Sequence, residues 1–399
     1  MASLNQNTWS LDEWYAQQVA GNTDYGGVKQ LWMFGTDAWG DLAQNTQGTQ
    51  RSSPTQIPAG PGAWAAPIIH GGCNNGPANA ALKADGSMWV WGGADYGSLG
   101  QNNKTYRSSP VQIPSGPAPA GDWAGGVTAG TWMMGVKDNG RMYSWGRNEF
   151  GQLGHNTATQ YSSPRQVPGT TWSGAAGKLA VSSSTATAIK TDGTMWVTGN
   201  NNNHETGTGN PTNHDLSSPT QIPGTWTYCA RGEECGFGIK SDGSLWSWGY
   251  NYYGQLGLNH TTTRDEPNQI PGTWSAVMGV QASVIGLKTD GSMWGWGYGE
   301  NGKLGLNEGG GGSTKSSPVQ VGTDTDWAKL SLGTYQTAYA IKQDGTIWAW
   351  GHNTSGQLGL NSTNNPSNNG ISSPTQIPGI TNAFQVRNVG GAAMIMKNV

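Results

Sequence analysis

The chain carries little charge, and the charge is not clustered. Only 11% of its 399 residues are Asp, Glu, Lys or Arg, which is less than half the usual share of about 25%. The formal net charge is −3, and no two Lys or Arg residues are adjacent. A nucleic-acid-binding surface needs a clustered basic face. The sequence therefore argues against nucleic acid as a partner.

Long apolar runs and cysteines are also scarce. No apolar run approaches the ~20 residues that a membrane-spanning helix needs, and residues 1–8 lack the basic and apolar regions of a secretory signal. Of the three cysteines, Cys229 and Cys235 could pair in an oxidising compartment, although free buried thiols are favoured and Cys73 would be left over. We expect no membrane insertion, no Sec-type signal and no cysteine metal site.

Glycine and tryptophan are abundant instead, with 64 and 21 residues. A disordered chain would lack so many large aromatic residues. One aromatic segment that ends in glycine recurs about every 50 residues. Its copies are 31–35, 88–92, 142–146, 195–199, 245–249, 293–297 and 347–351. A fixed segment with connections of variable length indicates a repeat architecture.

Each repeat predicts a small antiparallel sheet. An Asp-Gly or Asn-Gly pair precedes six of the aromatic segments and supplies the positive φ angles of a tight hairpin; the pairs are 85–86, 139–140, 192–193, 242–243, 290–291 and 344–345. In the returning strand, aromatic residues alternate with aliphatic ones, so both faces are apolar and both must be covered.

Two further motifs follow each aromatic strand. Gly-x-Leu-Gly stands at 97–100, 151–154, 254–257, 302–305 and 356–359, is altered at 40–43 and is lost at 204–207. Its glycines suit sharp bends. Ser-Ser-Pro-x-Gln-Ile-Pro stands at 52–58, 108–114, 217–223 and 372–378. Its two prolines fit an edge strand, where a missing N–H breaks no ladder bond.

The two ends of the chain complement each other. Residues 393–398 look like a first hairpin strand without its partner, and residues 29–32 begin an aromatic strand without its own. Pairing them removes two open sheet edges. We therefore predict an all-β fold: a seven-bladed β-propeller over residues 28–399, closed by pairing of its N- and C-terminal strands.

These linked motifs resemble the regulator-of-chromosome-condensation repeat family over residues 28–399. The resemblance implies a seven-bladed propeller closed by strand exchange. The founding member of that family is a guanine-nucleotide exchange factor that docks on chromatin, but its basic tail has no counterpart here and its exchange residues cannot be mapped onto this chain. Its function is therefore not carried over. The regular Ser-Ser-Pro units are most similar to propellers of bacteria and marine bacteriophages, which tend to be extracellular or part of the virion.

Residues 1–27 lie outside the repeats and predict an N-terminal extension with a short helix at about 11–20. Ser10 and Glu13 form a capping box, and Gly21 is placed as the stop signal. A stripe of apolar residues would serve either as a lid on the propeller or as a docking element for assembly; it consists of Leu11, Trp14 and Tyr15. The third alternative is a frayed terminus.

Catalytic chemistry is not indicated. No nucleophile elbow, phosphate-binding loop or paired-carboxylate arrangement is recognisable, so we predict a protein that is not an enzyme and uses no cofactor. The segment 200–215 includes His204, Glu205, His214 and Asp215, but this spacing fits no metal-ligand pattern, and we interpret the segment as a polar loop without metal. Arg231 with Glu233 and Glu234 is likewise interpreted as a solvated loop.

Aromatic residues in the loops are the strongest sign of a binding site. Four precede the Gly-x-Leu-Gly position and three more lie in the same loops; they are Trp39, Tyr96, Phe150 and Tyr253, and Tyr250, Tyr252 and Tyr298. Because the blades are equivalent, these loops should gather on one rim, where aromatic rings stack on sugars or anchor a protein. The alternative is that each ring packs on its own blade.

The function predicted from these features is a non-catalytic structural or interaction propeller in a bacteriophage virion: a capsid or tail decoration, or a host-recognition protein. Its partners would be other virion proteins or host-surface glycans and proteins. The first alternative is a secreted, extracellular bacterial propeller that binds proteins, such as an enzyme inhibitor. The second is an intracellular regulator of the exchange-factor type.

Overall fold

The aromatic strand of every repeat lies inside a four-stranded antiparallel sheet. The computed structural model describes residues 29–397 except 36, 50, 58–63, 68, 71–77, 115–121, 129, 211, 309–312, 334–336, 363–369 and 390–391. The predicted helix at 11–20, with Leu11, Trp14 and Tyr15, lies outside the described residues, as does Cys73.

Seven blades form a closed ring, and blade 1 is built from both ends of the chain. Its strands are β1 (Gln30–Gly35), β2 (Arg51–Ile57), β27 (Ala383–Val389) and β28 (Ala392–Lys397). Strand β1 pairs with β28 from Gln30 opposite Lys397 to Gly35 opposite Ala392. On one side of this sheet, β27 packs against blade 7, and on the other it packs against blade 2. The predicted closure by strand exchange is confirmed.

Blades 2 to 4 follow in chain order. Blade 2 contains β3 (Trp64–Pro67), β5 (Ala78–Lys83), β6 (Met88–Gly92) and β7 (Arg107–Gln112), and β4 (Ile69–His70) follows β3 in the chain but belongs to the sheet of blade 3. Blade 3 contains β8 (Trp123–Thr128), β9 (Trp132–Lys137), β10 (Met142–Gly146) and β11 (Tyr161–Gln166). Blade 4 contains β12 (Leu179–Val181), β13 (Thr185–Ile189), β14 (Thr194–Gly199) and β15 (Leu216–Thr225). The short β4 pairs in parallel with β8 and links blades 2 and 3.

Blades 5 and 6 share one long strand. Blade 5 contains β16 (Tyr228–Arg231), β17 (Cys235–Ile239), β18 (Ser244–Gly249) and the first part of β19 (Arg264–Val280). Blade 6 contains the second part of β19, β20 (Ser283–Lys288), β21 (Met293–Tyr298) and β22 (Thr314–Gln320). Blade 7 contains β23 (Trp327–Gly333), β24 (Thr337–Lys342), β25 (Ile347–Gly351) and β26 (Ile371–Gln376). Two 3₁₀ turns, Asp95–Gly97 and Glu300–Gly302, lie in loops.

Buried side chains fill the spaces between blades. The second aromatic residue of each aromatic strand is fully buried in six blades, and the leucine of each Gly-x-Leu-Gly motif is at most 2% exposed. Five of these tryptophans donate an indole N–H to a backbone carbonyl of the preceding blade; they are Trp91, Trp145, Trp248, Trp296 and Trp350. In blade 4, the hydroxyl of Thr198 makes the corresponding bond to the carbonyl of Gln152 at 2.8 Å.

The Ser-Ser-Pro strands lie at sheet edges, as predicted, and they also receive the loop of the preceding blade. The backbone N–H of Asn45 donates to the carbonyl of Ser108 at 2.8 Å. The same bond recurs at four further junctions, from Asn102 to Ser162, Asn156 to Ser217, Asn259 to Ser316 and Asn307 to Ser372. The asparagines adopt left-handed φ angles, which asparagine tolerates well. The serines are thus part of the contact between blades.

The fourth copy of Gly-x-Leu-Gly departs from the motif in residue type but keeps its backbone. His204 has a φ of +59° where the other copies have glycine. At this junction, Gly209 stands where the others have asparagine, and Asp265 stands where they have serine. The backbone N–H of Gly209 still donates to the carbonyl of Asp265 at 2.8 Å. The motif is thus lost from the sequence of blade 4, but its left-handed backbone is kept. In the part of the chain that the structure describes, no helix is long and apolar enough to cross a membrane.

Candidate functional site

The two faces of the ring differ in chemistry. Because each blade is an antiparallel meander, its Asp-Gly hairpin and its connection to the next blade leave on one face, which we call the hairpin face. The long loop with Gly-x-Leu-Gly leaves on the opposite face, which we call the loop face. All seven aromatic residues singled out from the sequence belong to the loop face.

The hairpin face repeats one cation–π arrangement in every blade. At the end of the strand before each hairpin, a lysine ammonium lies over one or two aromatic rings; these lysines are Lys83, Lys137, Lys190, Lys240, Lys288, Lys342 and Lys397. The Nζ of Lys288 is 3.6 Å from the ring centroid of Trp294 and 5.3 Å from that of Trp274. These cation–π contacts were not predicted from the sequence, although lysine stands two residues before the Asp-Gly or Asn-Gly pair of every complete hairpin.

Hydrogen bonds hold the hairpins in the same uniform way. The Oδ1 of Asp85 accepts from the backbone N–H and the hydroxyl of Ser87, at 2.9 and 2.6 Å. The indole N–H of Trp89 donates to the same hydroxyl at 2.9 Å. These hydrogen bonds hold the pKa of Asp85 below its usual value. Four other hairpins repeat the aspartate and indole bonds, which makes this face a structural one.

On the loop face, four of the seven aromatic residues are in contact. The rings of Tyr250 and Tyr252 stack with centroids 6.4 Å apart and an interplanar angle of 12°. Tyr253 meets Tyr252 edge-on at 5.0 Å, and it contacts Tyr298 of the next blade at 4.7 Å. Tyr252 is 67% exposed. We call these four residues the tyrosine patch.

The other three predicted residues lie outside the patch. Tyr96 lies under the guanidinium of Arg147, whose Cζ is 5.4 Å from the ring centroid. Phe150 is half-buried, and Trp39 is 40% exposed. Among the described residues, neither of these two takes part in a ring contact. The predicted aromatic ring around the rim is thus replaced by one local patch.

The reason lies in the residue that follows Trp-Gly in the next blade. An aromatic residue before Gly-x-Leu-Gly meets that residue across the junction: Tyr253 meets Tyr298, and Tyr96 meets Arg147. The position opposite Trp39 is Gly93, which has no side chain to offer. A full ring would require an aromatic residue at both positions of every junction, and only the junction of blades 5 and 6 has one at each.

A buried charged group lies at the neighbouring junction of blades 4 and 5. Arg231 is only 3% exposed, and it donates to the hydroxyl of Thr187 at 3.0 Å and to the carbonyl of Glu205 at 2.9 Å. The interpretation of Arg231 as part of a solvated loop is therefore wrong. Its guanidinium ties blade 5 to blade 4 because a buried charge needs hydrogen-bond partners.

Two carboxylates adjoin this arginine. Glu205 is fully buried, and burial raises its pKa to about 7, opposed by backbone hydrogen bonds and by Arg231. Burial also raises the pKa of Glu234, which is half-buried. The carbonyl of Glu234 accepts from the backbone N–H of Tyr250 at 2.9 Å, so this segment positions the first ring of the patch.

The opposite border of the patch carries one acid and one base. The carboxylate of Glu300 lies near the hydroxyl of Tyr298, and burial together with that carboxylate raises the pKa of Tyr298. The ammonium of Lys303 lies 4.8 Å from the ring centroid of Tyr298. Lys303 is only 3% exposed, and burial lowers its pKa to about 8.

Neither metal nor thiol chemistry is supported at this sector. His204, Glu205, His214 and Asp215 do not assemble: in the described ranges, no three His, Cys, Asp or Glu residues come close enough to hold a metal ion. Cys229 and Cys235 are both free and buried. Burial raises the pKa of each thiol to about 12, so neither is a nucleophile at neutral pH.

Two grooves among the described residues are small. A groove between blades 4 and 5, beside Trp246 and Lys240, has a volume of about 170 Å³. A second groove lies beside Trp32 and Lys397 and has about 140 Å³. Pockets for small organic ligands usually enclose about 300–1,000 Å³. The exposed tyrosine patch is therefore the stronger candidate site.

Fold and repeat together define a seven-bladed β-propeller that is closed by pairing of its terminal strands. The chain belongs to the family described as the RCC1-like domain, whose model matches residues 30–396. The family resemblance inferred from the sequence motifs is confirmed; the closer resemblance to bacterial and bacteriophage propellers stays a prediction.

Curated relatives match parts of the chain. The ultraviolet-B receptor UVR8 of Arabidopsis thaliana is 27% identical over 194 residues, which is 47% of this chain and 42% of UVR8. The human protein RCC2 is 34% identical over 133 residues, which is 31% of this chain and 24% of RCC2. The human ubiquitin ligase HERC2 is 25% identical over 195 residues, or 4% of its length. The chain thus spans less than half the length of these relatives.

Solved structures share the fold over almost the whole chain. Yeast RCC1 (Prp20), in its complex with Kap60, superposes with a TM-score of 0.78 at 17% identity, covering 93% of this chain and 89% of that one. Human WBSCR16 gives a TM-score of 0.75 at 16% identity, with 93% and 99% covered. At these identities the similarity establishes the fold alone.

Proposed function

We propose that this chain is a non-catalytic interaction propeller that binds a partner protein through the loop face of blades 4 to 6. One observation carries the proposal: the departures from the repeat and the exposed tyrosine patch lie in the same sector. In a repeat protein, the scaffold requires similar residues at equivalent positions of each repeat. Positions that depart from the repeat pattern are typical of functional sites.

The exceptions form a continuous group. Blade 4 has Thr198 in place of the second tryptophan and His204 in place of glycine, and blade 5 adds the buried Arg231 and the edge residue Asp265. Directly above the junction of blades 5 and 6 lies Tyr252 with its neighbouring rings. The hairpin face of the same blades keeps the common pattern.

The chemistry of the patch suits protein recognition. Tyrosine supplies a large contact area with few rotatable bonds, and it is enriched among the residues that dominate binding energy at interfaces. The yeast propeller of this family was solved in a complex with Kap60, and its binding to Gsp1p and histones has been described. Those partners belong to that protein; they support only the general idea that such a disc binds proteins.

The experiment places a photo-crosslinking amino acid at position 252 on the loop face and, as a matched control, at position 241 on the hairpin face of the same blade. Both positions are exposed. Cross-links to one defined partner from position 252, lost when Tyr253 is replaced by alanine, support the proposal. Equal labelling from both positions, or labelling from 241 alone, contradicts it.

We also propose that the protein is part of a bacteriophage particle, on the grounds of its low charge and its glycine- and asparagine-rich loops. Mass spectrometry of density-banded particles tests this, and absence of the chain from such particles would remove the idea. A signal peptide encoded upstream would favour the secreted alternative. Accelerated nucleotide release from a panel of small GTPases would favour the exchange-factor alternative.

A further inference from the structure

The rim of the propeller contains an arginine site that the chain fills by itself. At the junction of blades 2 and 3, the guanidinium of Arg147 lies over the ring of Tyr96, with 5.4 Å between Cζ and the ring centroid. The Nη2 of the same arginine is 2.6 Å from the Oε2 of Glu149. An aromatic face and a carboxylate together hold one guanidinium, which is a favourable combination of cation–π and charge-assisted hydrogen bonding.

The junction of blades 5 and 6 repeats this arrangement without the arginine. Tyr253 stands before Gly254 as Tyr96 stands before Gly97. Glu300 is the third residue after Trp-Gly in its blade, and Glu149 is the third in its own. The residue directly after Trp-Gly, which is Arg147 in blade 3, is Tyr298 in blade 6. The aromatic ring and the carboxylate are both kept, and the guanidinium is replaced by a phenol.

The carboxylate at this second junction can accept further hydrogen bonds. Glu300 lies near the hydroxyl of Tyr298, and a carboxylate offers about four acceptor positions. A neutral phenol does not neutralise Glu300 as Arg147 neutralises Glu149. The nearby cation is the buried Lys303: burial lowers its pKa, and Glu300 opposes that shift. On the other side of the patch, Glu234 lies near the hydroxyl of Tyr250 and contributes to raising the pKa of that tyrosine.

The ammonium of Lys303 beside this patch faces inward. Lys303 covers the ring of Tyr298 at 4.8 Å and is 3% exposed. Tyr252, in contrast, is 67% exposed, and its ring is supported from behind by the stacked ring of Tyr250. The solvent side of the patch thus presents an electron-rich aromatic surface bordered by Glu234 and Glu300.

We infer that the tyrosine patch is a receptor for an arginine side chain of the partner protein, with the guanidinium stacked on the exposed rings and paired with a bordering carboxylate. The inference rests on the proposed function and gives its partner a chemical class: a protein segment that presents arginine to this rim. Arginine fits better than lysine because its planar guanidinium stacks on a ring and bonds a carboxylate at the same time.

The experiment uses the full chain with ¹³C-labelled tyrosine rings and three peptides of sequence Gly-X-Gly-X-Gly, with X as Arg, Lys or Gln and both termini blocked. We expect the Arg peptide to shift tyrosine ring signals in a saturable way, the Lys peptide to bind more weakly and the Gln peptide not to bind. Tyr252→Ala should weaken binding of the Arg peptide about 2- to 30-fold, the factor that corresponds to one cation–π contact.

The controls separate this inference from the proposed function. Glu300→Gln should weaken binding of the Arg peptide without altering the fold, and Trp39→Ala, which removes an exposed aromatic residue elsewhere on the same face, should have no effect. Equal binding of the Gln peptide, or unchanged binding in Tyr252→Ala, overturns the inference. If cross-linking from position 252 still captures a partner in that case, the proposed function stands and only the arginine assignment fails. Saturable binding of neutral oligosaccharides at the patch would likewise overturn it.

Discussion

The hairpin face and the loop face of this propeller are built from the same seven repeats, yet only one of them is uniform. On the hairpin face, each blade places a lysine over aromatic rings. On the loop face, the residue that crosses each junction changes from blade to blade: Arg147 at one, Tyr298 at another, Gly93 at a third. Uniform chemistry indicates a role in holding the ring, and variation indicates positions that the ring leaves free.

The loop face is itself divided. One part of each loop is held to the edge strand of the next blade by one backbone hydrogen bond, and this bond survives even where the residues change, as between Gly209 and Asp265 at 2.8 Å. Other positions of the loops carry the variable side chains. The two faces therefore differ because scaffold positions must supply a backbone conformation or a buried ring, whereas the variable positions need supply neither.

The largest expected effect comes from removing a ring of the hairpin face. Trp226 is 1% exposed and packs against Trp246 and Trp248, with centroids 6.5 and 6.1 Å apart. Trp226→Ala should lower the free energy of unfolding by about 3–5 kcal/mol, because it leaves a cavity between blades. Urea unfolding followed by far-ultraviolet circular dichroism measures the change.

Trp226→Phe is the matched control for this change. The indole N–H of Trp226 has no hydrogen-bond partner among the described residues, so phenylalanine keeps most of the ring volume and removes no hydrogen bond. The phenylalanine variant should therefore lose much less stability than the alanine variant. A loss in the alanine variant as small as that in the phenylalanine variant would show that packing at this position matters little.

A pH-dependent effect of similar size is expected at the junction of blades 4 and 5. Glu205 has a pKa of about 7 in the folded protein against 4.5 as its ordinary value, so the folded state binds its proton more tightly than the unfolded state. The stabilisation of the folded state that comes from protonating Glu205 is fully present below pH ~4.5 and is lost as the pH rises through ~7. Between pH 5 and pH 8, the wild type should lose stability relative to Glu205→Gln on the order of 3 kcal/mol.

The comparison with Glu205→Gln isolates this group. Burial also raises the pKa of Asp41 to about 7, and Glu234 shifts in the same direction, but both remain in the two proteins and largely cancel in the difference. Unfolding free energies at four or five pH values give the result. Parallel pH profiles for the two proteins would mean that Glu205 is ionised in the fold throughout this range.

A smaller effect is expected from the repeated lysine. Lys288→Met keeps the length of the side chain but removes the charge from its place 3.6 Å from the Trp294 centroid, and it should cost about 0.5–2 kcal/mol. Lys104→Met, at an exposed position on the loop face, is the control and should change stability by no more than about 0.5 kcal/mol. If both variants behave alike in thermal unfolding, the lysines of the hairpin face do not stabilise the blades.

The architecture could be predicted from the sequence because each motif that determines it is local and occurs in several repeats. The Asp-Gly pairs, the alternation in the aromatic strands and the matching ends at 29–32 and 393–398 sufficed for the seven blades and their closure. Repetition converts weak local signals into a strong one.

The candidate site was only partly accessible. Loop aromatics were visible in the sequence, but which of them touch depends on pairs such as Tyr253 and Tyr298, about one repeat apart. That pairing follows from the offset between neighbouring blades, which a single repeat does not contain. Arg231 was misread for the same reason, since its hydrogen-bond partners Thr187 and Glu205 belong to the preceding blade.

The smallest effect on stability is expected at the centre of the proposed binding surface. Tyr252 is 67% exposed, so Tyr252→Ala should change the free energy of unfolding by no more than about 0.5 kcal/mol, although it removes the ring that would contact a partner. A thermal unfolding midpoint within error of the wild type, together with loss of cross-linking from a probe placed nearby at position 202, is the expected pair of results. If Tyr252→Ala instead destabilised the fold as strongly as Trp226→Ala, the tyrosine patch would be part of the scaffold. The distinction between a structural hairpin face and a binding surface on the loop face would then be wrong.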